Sequence, residues 1–127
     1  DCAGVGGKQL RESVGTTART CFGMHVAGHP NLFLMIGPQT LNPVTNVTLV
    51  SETQANYLAD VIARAKRAGA SVIDVEPAAV DEWAATCAKH NEGKVWGRVS
   101  SWYNAGGTIQ RSAAFWGSFT EYVAELE

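Results

Sequence analysis

The sequence has no surplus of basic charge: 10 Lys and Arg stand against 12 Asp and Glu, a net of −2. Nothing in that balance would neutralise a phosphate backbone, which excludes a dedicated nucleic-acid binder. No polybasic run marks an anionic membrane surface as a partner. Long apolar runs are missing too. The longest, within Asn31–Gly37, falls far below the roughly 20 residues of a membrane helix. The charged, apolar and small-residue pattern of a secretory leader is absent from the start, so the expected compartment is the cytoplasm. Cysteine is scarce: Cys2, Cys21 and Cys87 are odd in number, widely spaced and without a CxxC. That set excludes a disulfide framework and zinc-ligand spacing, and reads as free thiols.

Complete catalytic motifs are lacking as well. Gly4, Gly6 and Gly7 begin like a phosphate loop, but Gln9 stands where G-x-G-x-x-G needs its third glycine. Ser100 and Ser101 have no G-x-S-x-G around them. His25 and His29 lie four apart with no third ligand near in sequence, and read as ordinary histidines. Asp81 and Glu82 suit a helix start, and Cys87 an apolar helix stripe. Asn46-Val47-Thr48 is a glycosylation sequon, without meaning in an unsecreted chain. No catalytic residue and no metal ligand is expected.

What remains is one domain's worth of chain, 127 residues with 46% apolar side chains, enough for a real core. Residues 1–17 read as a flexible lead-in. Residues 18–26 read as a strand, and Asn31–Ile36 as a strand buried on both faces, ended by Gly37-Pro38. A helix should begin between Thr48 and Ser51. Leu58, Val61, Ile62 and Ala65 form its apolar face, and Gly69 its C′ position. Residues 71–75 read as a third strand. A helix then starts at Pro77, with Val80, Trp83, Ala84 and Cys87 on one face, and runs to about His90. A Trp-rich irregular segment follows. A last helix opens on the capping box Ser118-x-x-Glu121, with Phe119, Tyr122, Val123 and Leu126 as its stripe. The expected class is α/β or α+β: a short sheet packed by about three helices. A strand, a Gly-Pro turn, a polar loop and a capped helix in that order suit ligand binding, because the helix start leaves N–H groups unpaired.

A family resemblance adds to this. His29-Pro30-Asn31-Leu32-Phe33, Gly37-Pro38-Gln39-Thr40, then Asn46, Glu52 and Gln54 resemble the C-terminal part of flavin-dependent Baeyer–Villiger monooxygenases. Glu82-Trp83, Val95-Trp96, Ser101-Trp102-Tyr103 and Phe115-Trp116-Gly117 are similar to the family's later blocks. The resemblance covers about residues 5–125. It implies the C-terminal fragment of a flavoprotein with two dinucleotide-binding domains, whose Gly-rich FAD and NADPH motifs lie outside these residues. Residues 18–69 would line the FAD site, and 70–127 would carry the Trp-rich C-terminal segment. Gly37, Pro38, Gln39 and Thr40 match the turn over the flavin. Asn46, Val47, Thr48 and Leu49 match the loop and helix start facing its ring, and Trp102 matches a tryptophan against the nicotinamide cofactor. The implied cofactors are FAD and NADPH, held in the full-length enzyme and not tightly by this chain alone. The implied substrate is a ketone or a soft heteroatom. Asn104–Gln110 departs from the family by lacking its Pro and Lys, which leaves the substrate unassigned. The rival expectation is a stand-alone, non-catalytic binding module that self-associates through exposed sheet edges.

Overall fold

The computed structural model describes residues 2–15, 19–40, 44–94 and 114–127. Four α-helices appear among them: α1 (Leu10–Val14), α2 (Val47–Arg67), α3 (Pro77–Asn91) and α4 (Phe119–Leu126).

The three long-expected helices form where local chemistry demands. α2 starts at Val47, one residue ahead of the expected Thr48 to Ser51, because Asn46 is its N-cap and accepts the Thr48 N–H at 3.0 Å. The Ser51 and Thr53 hydroxyls instead bond back to the carbonyls of Val47 and Leu49, four residues earlier. At its other end Gly69 has φ +69°. Its N–H reaches the Lys66 carbonyl and that of Ala70 reaches Ala65, the paired bonds of a Schellman stop. Pro77 opens α3 at its first turn, where a missing N–H costs nothing. Ser118 and Glu121 close a reciprocal capping box on α4.

The expected strands are corrected. No strand ladder occurs among the described residues, only isolated antiparallel bridges pairing Ala3 with Gln9, Cys21 with His25, and His25 with Phe33. Of the expected strand 18–26, the described residues 19–26 do not run straight: Phe22 and Gly23 take φ +56° and +72°, and the chain reverses so that Cys21 bonds His25. Asn31–Ile36 is not buried on both faces. Asn31 and Ile36 have positive φ, and Met35 and Ile36 are exposed. Residues 71–75 form no strand and are docked against residues 28–31, with the Asn31 N–H on the Ile73 carbonyl at 2.8 Å. Asn31 bonds the Ser71 carbonyl and the Ile73 N–H, and Asp74 accepts from Gly28 N–H.

The lead-in is also built. Residues 5–7 form a 3-10 turn, α1 is closed by a Gln9–Glu12 capping box, and the Val5 N–H bonds the Gly28 carbonyl at 2.8 Å.

The core gathers Cys21, Val50, Val80, Trp83, Cys87, Phe115 and Tyr122. Trp83 is its centre: it stacks on Phe115 at 5.1 Å and meets Phe22 edge-on at 5.0 Å. The buried residues of α2 are Val50, Gln54 and Leu58; Ile62, one turn beyond Leu58, is exposed, so the expected apolar face is not covered along its whole length.

Candidate functional site: an anchored turn beside a helix start

The turn Gly37–Thr40 is held from several elements at once. The Gly37 N–H bonds the Gly23 carbonyl at 3.1 Å. The Thr20 hydroxyl donates to the Pro38 carbonyl at 2.7 Å, and the Thr20 N–H to Gln39 Oε1 at 2.8 Å. Trp83 Nε1 donates to the Gln39 carbonyl at 3.2 Å, and the Phe115 N–H to the Thr40 carbonyl at 2.9 Å. Just upstream, Gln54 of α2 accepts the Ile36 N–H at 2.9 Å. Gly23 and Gly37 make this possible. A Cβ on Gly23 would run into the Thr40 hydroxyl, and one on Gly37 into the Gly23 carbonyl.

Anchoring decides what each expected site residue can offer. Gln39 (φ +66°) and Thr40 are buried, with their carbonyls taken by Trp83 and Phe115, so they anchor the turn from behind. Gly37 and Pro38 are half-buried. Gln39 Nε2 is buried without a partner. Asn46, Val47, Thr48 and Leu49 are exposed at the start of α2. There the helix leaves N–H groups outside its own ladder and carries partial positive charge. Met35, Ile36, Val44, Val47 and Leu49 are 39% to 82% exposed. The structure thus brings together the turn and α2, joined through Gln54. Trp102, with Val95, Trp96, Ser101 and Tyr103, lies outside the described residues.

Sequence reasoning missed the polar hub behind the turn. Gln54 is fully buried. Its Nε2 donates to the Tyr122 hydroxyl at 2.8 Å and to the Phe22 carbonyl at 3.3 Å. A signal existed: Gln54 stands one turn from both Val50 and Leu58, a polar residue on an apolar stripe.

The buried thiols are poor nucleophiles. Burial, with Glu82 nearby, pushes Cys21 up to about 11. Burial, with Glu125 nearby, pushes Cys87 up to about 12. Among the described residues no group of three His, Cys, Asp or Glu side chains forms a metal cluster. No described helix is long and apolar enough to cross a membrane.

No family model matches the chain. It is 33% identical over 103 residues to a Baeyer–Villiger monooxygenase of Streptomyces coelicolor, covering 79% of this chain and 20% of that protein. It superposes on an oxidized steroid monooxygenase bound to NADP with a TM-score of 0.88 and 31% identity, over 98% of this chain and 23% of that one. The chain belongs to the Baeyer–Villiger monooxygenase family. Phenazine N-monooxygenase PhzNO1 of Lysobacter antibioticus is 27% identical over 126 residues, 97% of this chain and 23% of that protein. The chain spans about a fifth to a quarter of the length of these relatives. Within the family segment, Trp83 is a core residue that pins the Gly-Pro turn.

Proposed function

We propose that the chain forms one wall of the flavin site in an FAD- and NADPH-dependent monooxygenase, as its C-terminal part. The observation that carries this is the exposed apolar start of α2 beside a turn bonded to several elements. These residues fit a flavin. Val47 and Leu49 offer apolar contact to a flat ring, and the unpaired N–H groups of the helix start suit its electron-rich edge. The bound flavin would supply the oxygen-transfer chemistry. This chain's residues would hold the ring in place, exclude water from it and fix its orientation. Trp102 would contact the nicotinamide cofactor. The substrate would be a ketone or a heteroatom.

The chain by itself is expected to be inactive, because it spans only about a fifth of its relatives and has no complete Gly-rich nucleotide motif. The test is incubation with FAD, gel filtration, and flavin absorbance in the protein peak, followed by NADPH oxidation. The expected result is neither retained flavin nor turnover. Stoichiometric flavin or NADPH oxidation would overturn the fragment reading. The exposed apolar face would also drive self-association of the chain alone, and a clean monomer on the same column would contradict that.

A further inference from the structure

A cavity of about 410 Å³ lies where α2, α3 and α4 meet residues 21–25 and 73–75. Neither the turn Gly37–Thr40 nor the helix start Asn46–Leu49 lines it. Its size is that of a small-molecule site. Its apolar walls include Phe22, Tyr57 and Trp83, and its carboxylates are Asp74, Glu82 and Glu125. No Lys or Arg is among its described lining residues. Arg64, two turns beyond Tyr57, is engaged by Asp60 on the same helix.

An independent feature points to a ligand. His25 lines the cavity, is only 7% exposed, and has an Nε2 that is buried without a hydrogen-bond partner. Its ring is fixed edge-on against Phe33 and Tyr57, at 5.5 and 5.9 Å. A buried polar atom left unpaired is costly, and a ligand that bonds it recovers that cost. Burial also depresses the imidazole's proton affinity, with Asp74 opposing.

We propose that this cavity binds a small organic cation, an ammonium seated on the aromatic walls, bonded to His25 Nε2 and facing Asp74, Glu82 and Glu125. Charge and shape both select it. Three carboxylates without a lining cation repel anions, and aromatic faces attract a positive group. This proposal goes beyond the flavin reading and does not depend on it.

The test is an NMR titration of the 127-residue chain with benzylammonium, and with neutral benzyl alcohol at matched ionic strength. The expected result is saturable shifts at His25 and Tyr57, with benzyl alcohol about tenfold weaker. His25→Phe, which keeps the ring contacts, should weaken benzylammonium about fivefold. The pair Glu82→Gln and Glu125→Gln, both exposed, should weaken it about threefold or more. Equal binding of the two probes, no saturation with either, or affinity unchanged by His25→Phe would overturn the proposal. Flavin absorbance plays no part in this readout, so its outcome is separable from that of the flavin reading.

Discussion

Gln54 Nε2 and the Tyr122 hydroxyl meet at 2.8 Å, joining the middle of α2 to α4 across 68 residues of chain. Both groups also reach the Phe22 carbonyl, Tyr122 at 2.6 Å and Gln54 at 3.3 Å. Gln54 Oε1 meanwhile accepts from Ile36, so both ends of its amide are used. Tyr122→Phe should cost about 1–2 kcal/mol by stranding one Gln54 donor, and Gln54→Leu about 2–3 kcal/mol by stranding several groups. The double variant should cost clearly less than the two single costs added, because the groups share partners. Urea midpoints of the four proteins check this, and strict additivity would contradict it.

Gly23 carries a close approach that no side chain can replace. Its φ is +72°, and an added Cβ collides with Thr40. Gly23→Ala should destabilise by at least about 2 kcal/mol. Gly6, also at positive φ but with open space around it, should lose about 1 kcal/mol when changed to Ala. Thermal melts of the two variants distinguish them, and equal losses would contradict the packing at Thr40.

Asn46 caps α2 with its side-chain oxygen on the Thr48 N–H. Asn46→Ala should cost about 1 kcal/mol, while Asn46→Asp should hold the cap and suit the helix dipole. Helix content and urea midpoint measure both, and an Ala variant as stable as the parent would refute the cap.

Alkaline pH should loosen the fold. Cys21 and Cys87 start from 9.0 and are raised to about 11 and about 12 by burial. Below pH 9 both states keep these protons, and the stabilisation from the neutral buried thiols is fully present. From pH 9 to about 11 or 12 the unfolded chain releases protons that the native chain retains, so stability falls as pH rises. Urea midpoints at about pH 8 and about pH 10.5 should differ in that direction. A flat profile would contradict the burial of the thiols.

The helices were legible because their signals are local. Ser118 with Glu121, Pro77 and Gly69 each satisfy or remove a terminal backbone group wherever the rest of the chain goes. The extended segments were not, because apolar composition reports burial tendency and says little about φ. Phe22, Ile36 and Gln39 sit at positive φ, held there by bonds from residues far along the chain, and their side chains give no hint of it. Asn31 is the exception, since Asn adopts that conformation readily. At the candidate site, Asn46 to Leu49 were found by resemblance and stand exposed. Gln39 and Thr40 were named the same way but are buried, a matter of tertiary bonding from Thr20 and Phe115. Gln54's place on the apolar stripe between Val50 and Leu58 marked it as buried, but its partner Tyr122, 68 residues away, is not written in the local sequence.

The central claim is that the α2 start is a wall of the flavin site. Its most direct test replaces the matching segment of the related steroid monooxygenase with this chain and reads bound flavin, with Val47→Asp as a second graft. The first graft should purify with flavin and show NADPH-dependent oxygenation. The second should fold alike but lose flavin or activity by about tenfold or more, because a carboxylate would face an electron-rich ring. A folded graft without flavin, or a Val47→Asp graft as active as the first, would contradict the claim.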